Sequence, residues 1–547
     1  MLSILLSCFI LIPVLIGWGK IMHYLFRPSI NGLSGKIFSG ILGISIIFSI
    51  LAFFVPLNLF VEIPTVLTGL FFFFKDSLYK ECNCFSKKDL IILISISGTI
   101  SFCGSFYPFI LDHFGYYVPT INWLTEFGMV KGISNLDLTL GQMSVWHIFQ
   151  AGFSNFSDPF LRMNSVLLIV YVLYIIEHRS WIQVCFLPVL LLFSQSPSPD
   201  LPVIVFSLVI LNEILKGNRS TDSLFLFSAF VFIIKPTMMW LPVLSFLYSI
   251  LIVKAKITKL FPGFAIVLLL FIKNMYTFGY PVFPISFPDL GISWKPNPQI
   301  LKTSSQFAIQ KTYDMQYSYE EIRNFSTADY IKNWLFLDGI KAKINILFAG
   351  SLIIFIVFTI IKKKTIITLI CISVIIKSIL VLLFSAQYRF FIDAFFVIFF
   401  VLFAHYFNRK KSIVIFSFLS LMVIGFLTTP HILQTYLPSF RPGTFMGKFE
   451  MKQLYKPSVY HYHKFQTYKI GNLVFNVSKK YPYNFDTQLP AISESYVYSN
   501  IKAGIFPQPA DERNMRKGFF WKKLSPKEKS EAEKVMHSIK NTYQQNR

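Results

Sequence analysis

The sequence predicts an all-α integral membrane protein that crosses the bilayer about 14 times, each crossing needing ~20 mostly apolar residues. Of its 547 residues, 54% are hydrophobic and only 14% are charged, whereas soluble domains carry roughly 25% charged residues. The apolar residues come in long runs, and most basic residues lie in short loops between those runs or in the tail. This distribution is typical of a multi-pass membrane domain.

The predicted spans follow the apolar runs in chain order. They are residues 2–25, 36–55, 57–74, 89–107, 160–177, 181–195, 200–216, 222–236, 238–253, 259–273, 343–361, 365–385, 388–407 and 411–429. The first run lacks a basic start and a small-residue cleavage site, so we interpret it as a span and not as a signal peptide. The pair within 222–253 could instead be one long helix kinked at Pro236.

Basic loops alternate with nearly charge-free loops along the whole chain. The basic ones contain Arg27, Lys36, Lys75, Lys80, Lys87, Lys88, Arg179, Lys216, Arg219, Lys254, Lys256, Lys259, Lys362, Lys363, Lys364, Arg409, Lys410 and Lys411. Because Lys and Arg resist translocation, these loops are predicted to be cytoplasmic. The first long loop (108–159), the second long loop (274–342) and the tail are then extracytoplasmic. The net charge of +24 therefore does not indicate a nucleic-acid partner.

The tail, residues 430–547, is polar, basic and rich in tyrosine. We predict that it is an extracytoplasmic extension of a transmembrane domain spanning residues 1–429. Ser525-Pro526-Lys527-Glu528 has the pattern of a capping box, which predicts a helix over 526–543. His461 and His463 form a single HxH pattern, which is too little for a metal site. The sequence therefore predicts no metal and no cofactor, although a divalent cation stays conceivable.

Asp112 opens the first long loop directly after an apolar run, and His113 and Tyr117 follow it. An acidic side chain at the membrane surface can deprotonate an acceptor hydroxyl or hold a metal. The alternative is a solvated aspartate at a helix end. Farther along this loop, residues 120–131 predict a short amphipathic helix lying along the membrane interface.

Asp200 and Lys235 are the next candidates. Asp200 lies in the proline-rich segment SQSPSPDLP, residues 194–202, and either caps the following helix or is a second acid facing the same cavity. Lys235 stands at the predicted outer end of a span, where it either reaches the headgroups with its ammonium or contacts a phosphate.

Lys273 and Asn274 begin an aromatic, proline-punctuated segment, and Arg389 begins a later span. Arg389 could pair with Asp393 one helical turn later. Arginine is also well suited to bidentate phosphate recognition, and we favour that role for it.

The charge alternation places Asp112, Asp200, Lys235, Lys273 and Arg389 near the same membrane face. An acid beside several bases at this depth suits chemistry on a lipid-linked phosphate. The acid would activate an acceptor while the bases neutralise the phosphate leaving group. The sequence contains no Gly-rich phosphate loop that would indicate nucleotide use.

In having an acidic residue at the start of its first outer loop, the chain resembles the GT-C superfamily of multi-pass glycosyltransferases. The resemblance implies a polyprenyl-phosphate sugar donor, with Asp112 at the catalytic acidic position and a loop helix lying along the membrane. The segments NWLTEFGMVKGISNL, SPSPDLP, GYPVFPI and QYRF are also similar to an uncharacterised family of large bacterial membrane proteins linked to surface polysaccharides. The paired acids DxD or ExD of many GT-C enzymes are missing here. Asp112 then acts alone, or with Asp200 or Asp137, and no metal site is carried over.

The expected function is transfer of a sugar from a polyprenyl-phosphate donor to a cell-envelope glycan or lipid acceptor, at the outer face of a bacterial cytoplasmic membrane. Asp112 would be the base, and Lys235, Arg389 and Lys273 would bind the donor phosphate. The alternatives are a surface-polysaccharide polymerase or ligase, a lipid-linked-glycan transporter or flippase, and a structural subunit of an envelope assembly.

Overall fold

A computed structural model describes residues 1–26, 30–431, 435 and 447–545. Arg27 of the first basic loop lies outside the described residues, as does part of the start of the tail. The helices up to residue 428 are α1 (Leu2–Leu25), α2 (Gly32–Leu51), α3 (Leu59–Lys75), α4 (Lys87–Gly104), α5 (Val118–Glu126), α6 (Val145–Ala151), α7 (Met163–His178), α8 (Leu187–Leu190), α9 (Asp200–Leu215), α10 (Thr221–Ile234), α11 (Trp240–Leu247), α12 (Phe261–Thr277), α13 (Pro298–Thr312), α14 (Tyr319–Arg323), α15 (Thr327–Leu335), α16 (Ile340–Lys362), α17 (Thr365–Phe384), α18 (Ile392–Phe403) and α19 (Arg409–Thr428).

Six helical segments among the described residues are long and apolar enough to cross a membrane: α1, α2, the segment Ile257–Thr277 that contains α12, α16, α17 and α19. This agrees with a membrane protein. Every predicted span coincides with a helical segment, but several of these segments are short. At ~1.5 Å per residue, a 16-residue helix such as α7 or α9 covers only about 24 Å of a ~30 Å core. The number fourteen stays a prediction.

Helices α7 and α9 form the buried centre of the bundle. Residues 163–176 of α7 and 201–214 of α9 are all buried. A helix that is apolar on every side is stable only where other helices surround it. These two helices are therefore enclosed by protein, which explains why they differ from the more exposed α16 and α19.

Residues 221–252 form two helical arms and not one kinked helix. Helix α10 ends at Ile234, Pro236 starts a short 3-10 turn, and α11 packs back against α10. Lys235 lies at the break in an extended conformation, with φ −149° and ψ 108°. The break therefore presents the Lys235 side chain at the end of both arms.

The predicted amphipathic helix over 120–131 starts earlier and is shorter than predicted, since it spans Val118–Glu126. Helix α5 ends at Glu126, and Gly128 follows with a φ of +75°. A Cβ on Gly128 would come within 2.7 Å of the carbonyl oxygens of Ala52 and Val55, so the chain turns there only with glycine. Ile121, Trp123 and Leu124 are buried in the protein core, so the apolar face of α5 packs against protein, and its position along the membrane interface stays a prediction.

The tail departs from the predicted all-α fold, because it contains two antiparallel hairpins. Strands β1 (Phe465–Ile470) and β2 (Leu473–Ser478) pair with Phe465 opposite Ser478, and β3 (Ile505–Pro509) and β4 (Phe519–Lys523) pair with Ile505 opposite Lys523. Helices α20 (Glu494–Lys502) and α21 (Pro526–Gln545) complete the tail. The predicted terminal helix is confirmed, and Ser525 and Glu528 form the reciprocal hydrogen bonds of its capping box.

The tail shares a hydrophobic core with the first long loop. Trp123, Val130 and Ile133 of the loop belong to the same buried cluster as Phe475 and Phe506 of the tail. Backbone contacts reinforce the junction, since the amide of Phe519 donates to the carbonyl of Lys131 at 2.9 Å. The first long loop and the tail therefore fold together as one layer.

Arg162 joins this layer to the helix bundle. Its side chain is almost completely buried and donates to the carbonyl oxygens of Gly104 (2.7 Å), Phe160 (2.5 Å), Phe106 (3.4 Å) and Ser458 (2.8 Å). These carbonyls belong to the end of α4, the segment that follows it, the segment that precedes α7, and the tail. One guanidinium thus satisfies backbone acceptors that would otherwise be buried without partners.

We expect Arg162→Ala to destabilise the protein by roughly 3–5 kcal/mol, because several charge-assisted hydrogen bonds to buried carbonyls are lost at once. The thermal unfolding midpoint of the detergent-solubilised protein measures this loss. Arg516→Ala is the matched control, since Arg516 is only half-buried and its guanidinium donates to the carbonyl of Phe53 at 3.2 Å. Equal midpoints for the two variants would contradict the assigned role of Arg162.

Candidate functional site

Asp112 and Arg389, 277 residues apart, form an ion pair. Arg389 Nη1 lies 2.6 Å from Asp112 Oδ2, and the two side chains are 37% and 30% exposed. Asp112 precedes a π-helical turn, His113–Tyr117, while Arg389 lies in a 3-10 turn, Tyr388–Phe390. The sequence placed both residues near one membrane face, and the fold brings them into contact.

The alternative pairing of Arg389 with Asp393 is wrong. Helix α18 begins only at Ile392, so Arg389 and Asp393 are not one turn apart on a continuous helix, which an i,i+4 pair requires. Asp393 instead accepts from Lys377 and, at 2.9 Å, from Trp240 Nε1.

Asp200 and Lys235 form a second ion pair. Asp200 is the first residue of α9 and not its cap; the Ser198 hydroxyl donates to its other carboxylate oxygen at 3.1 Å. Lys235 is only 14% exposed, so its ammonium is held by a carboxylate and does not extend into solvent. Both residues sit where a helix starts or breaks, which lets their side chains meet.

The two pairs meet at one aromatic ring. Lys235 Nζ lies 5.3 Å and Arg389 Cζ 5.0 Å from the centroid of Phe390. Both distances are within the range of cation–π attraction. We call Asp112, Arg389, Asp200 and Lys235 the paired-charge site. Two of the three predicted phosphate-binding residues thus share a site with the predicted base.

Tyr117 and His113 position the walls of this site. Burial, followed by the neighbouring Tyr116 and the carboxylates of Asp112 and Asp200, raises the pKa of Tyr117 well above its ordinary value. Tyr117 therefore stays neutral, with its hydroxyl 3.5 Å from that of Ser198. Burial, helped by Arg162, lowers the pKa of His113 well below its ordinary value. His113 Nδ1 lies 3.1 Å from the Ser196 hydroxyl, which ties the proline-rich segment to the first long loop.

Lys273 and Asn274 lie apart from the paired-charge site. Both are almost fully buried; Lys273 donates to the carbonyl of Met143, and Asn274 to that of Pro281 at 2.8 Å. Their side chains hold loop backbone in place. The sequence grouped Lys273 with the phosphate-binding residues because of its predicted depth, but a predicted depth does not reveal which way a side chain points.

Asp137, the other possible partner of Asp112, is also occupied elsewhere. It is buried and accepts from the backbone and hydroxyl of Thr139, with Ser493 of the tail at 3.5 Å. Burial raises the pKa of Asp137 to about 6, although these hydrogen bonds act to lower it. Asp200, and not Asp137, is the acid that shares a site with Asp112.

A cavity of about 330 Å³ lies between the first long loop and the tail. Its lining includes His113, Asn122, Arg162, His461 and Asp486. His113 connects this cavity to the neighbourhood of Asp112, one residue earlier. The first long loop and the tail therefore line a partly open cleft beside Asp112, and clefts of this volume are typical of small-molecule sites.

Sequence reasoning missed Asn164 and Lys377. Asn164 Nδ2 lies within 3.0 Å of the carbonyl oxygens of Phe193, Ser196 and Ser198 and so shapes the proline-rich segment. Lys377, inside α17, is paired with Asp393 and almost fully buried. Each is a polar residue inside an apolar run, and that position alone indicates a buried partner.

We expect Lys377→Met and Asp393→Asn each to lower stability by roughly 3–5 kcal/mol, because each leaves a buried charge without its partner. The double variant should lose less than the sum, since it contains neither charge. Asn at 393 keeps an acceptor for Trp240. Unfolding midpoints in detergent measure the coupling, and strictly additive losses would contradict it.

Residues 1–396, more than half of the chain, match the model of a protein family described as "Domain of unknown function (DUF8201)". No curated protein and no solved structure matches the chain.

Proposed function

The chain belongs to this DUF8201 family, and from its paired-charge site we propose that it is a membrane glycosyltransferase of GT-C type. The donor would be a polyprenyl-phosphate sugar and the acceptor a glycan or lipid of the cell envelope. The observation that carries the proposal is the meeting of Arg389 and Lys235 over the Phe390 ring, each held by a carboxylate.

Arg389 has the geometry of a phosphate ligand. One terminal nitrogen is engaged by Asp112, while the buried Nε–H has no hydrogen-bond partner among the described residues. A phosphate oxygen can use this donor, and a planar guanidinium can hold two oxygens at once. Lys235 supplies a second positive charge to the same group.

Asp112 would be the base. In the absence of donor, Arg389 pairs with the Asp112 carboxylate. This pairing offsets the desolvation of a carboxylate that is only 30% exposed. When a phosphate takes over the guanidinium, Asp112 gains the freedom to accept a proton from the acceptor hydroxyl. The sugar C1–phosphate bond breaks as the acceptor oxygen bonds to C1, and the electron pair leaves on the phosphate, where Arg389 and Lys235 stabilise it.

We expect Asp112→Asn to lower sugar transfer by about 10²- to 10⁴-fold, the usual contribution of a general base. Asparagine keeps an acceptor oxygen for Arg389, so the amount of folded protein should not change. Envelope glycans are compared by mass spectrometry in a deletion strain that expresses each variant. Asp289→Asn is the matched control, since Asp289 is an exposed acid paired with Lys295 in the second long loop. Full activity of Asp112→Asn would refute the assignment.

We expect Arg389→Ala to weaken binding of polyprenyl monophosphate by about 10- to 100-fold, equivalent to roughly 1.5–3 kcal/mol for a charge-assisted contact. Native mass spectrometry of the full chain in uncharged detergent gives the bound fraction. The matched control is Arg179→Ala, which removes an arginine paired with Asp89 at 2.9 Å near the opposite end of α4. Equal binding by the two variants would exclude Arg389 as the phosphate ligand.

A lipid-linked-glycan transporter is the second candidate, favoured by the Lys377–Asp393 pair. Lys377 lies seven residues before the end of α17, about 10 Å into the helix, where charges often mark transport pathways. If this candidate is correct, Lys377→Met/Asp393→Asn abolishes function while Asp112→Asn does not. A polymerase or ligase would be recognised by its product, because glycan chain length would change instead of a single decorating sugar.

A further inference from the structure

We propose that His461, His463 and Asp486 of the tail bind a divalent transition-metal ion such as Zn²⁺. Two imidazoles and one carboxylate offer ligand atoms that all lie within 4.8 Å of one another. This is a donor set that zinc and related borderline cations prefer. The sequence predicted no metal here because Asp486 is 23 residues beyond His463; the fold supplies this third ligand.

The carboxylate is oriented toward the imidazoles. Asp486 Oδ2 accepts from the backbone amides of Tyr462 and, at 2.9 Å, His463. The other oxygen, Oδ1, lies 3.1 Å from His463 Nδ1 and 3.9 Å from His461 Nδ1. Outer hydrogen bonds that fix a ligating carboxylate are typical of built metal sites.

The two histidines are also arranged in advance. Their rings stack at 5.3 Å with an interplanar angle of 12°. His463 has a φ of 46°, in the left-handed region that residues other than glycine seldom adopt. The rings are 63% and 73% exposed, so an arriving cation can reach them and small rotations bring the nitrogens to bonding distance.

Aromatic packing holds both ligand-bearing segments on the first long loop. Phe485, beside Asp486, packs edge-on against Phe114 at 4.9 Å and lies 6.1 Å from Tyr460, beside His461. The cavity of about 330 Å³ is lined by His461 and Asp486. With three protein ligands, the ion keeps at least one coordination position for water or an anionic group, as in open zinc sites.

The test is Zn²⁺ binding to the full chain, purified in detergent without a polyhistidine tag. A chromophoric chelator gives the affinity by competition, and elemental analysis after desalting gives the stoichiometry. We expect one Zn²⁺ per chain. His461→Ala/His463→Ala and Asp486→Asn should each bind at least about 10- to 100-fold more weakly, since loss of even an outer-shell partner has an effect of this size.

His537→Ala is the matched control, because His537 is an exposed histidine of the same tail on α21. Asp486→Asn preserves an acceptor for the two backbone amides, and elution volume in size-exclusion chromatography confirms that each variant folds. The proposal is overturned if the unaltered chain binds no Zn²⁺, or if the double-histidine variant binds as tightly as the control. Sugar transfer is not measured, so this result is independent of the glycosyltransferase proposal.

Discussion

A charged group inside an apolar helix bundle needs a partner, because the interior cannot replace the water that it loses. The contacts between distant segments of this protein follow that constraint. Asp112 is held by Arg389, Asp200 by Lys235 and Asp393 by Lys377. The Arg162 guanidinium is held by backbone carbonyls of the bundle and the tail. These contacts join segments that are far apart in the sequence, at helix ends and breaks and, for Lys377, inside a helix.

Hydropathy predicted where the helices lie, since a long apolar run has few alternatives to a helix in a membrane. It could not predict that α7 and α9 would be enclosed by protein, because enclosure depends on which neighbours surround a helix. The strands of the tail were missed for a similar reason. Phe475 and Phe506 complete their core with Trp123 and Val130, so the tail sequence alone contains only part of the apolar pattern.

Charge alternation could group the residues of the candidate site, but it could not predict which of their side chains make contact. Charge alternation placed Asp112, Asp200, Lys235, Lys273 and Arg389 near one face, and the fold joins four of them. Lys273 donates to the Met143 carbonyl instead, and the local sequence differs from that of Lys235 in having no proline directly after the lysine. The difference is that Lys235 sits at a helix break in an extended conformation, while Lys273 lies within α12, where its direction is fixed by the helix.

The two pairs of the site differ in exposure, and this difference suggests an order of events for the proposed reaction. Asp112 and Arg389 are about twice as exposed as Asp200 and Lys235. Water replaces part of the lost interaction when a more exposed pair separates, so an incoming phosphate displaces Asp112 from Arg389 more readily than it separates a buried pair. The more buried Lys235 is harder to separate from Asp200, because both would lose their partner in a less polar setting. Donor phosphate would therefore engage Arg389 first, and this exchange is the step that releases the base.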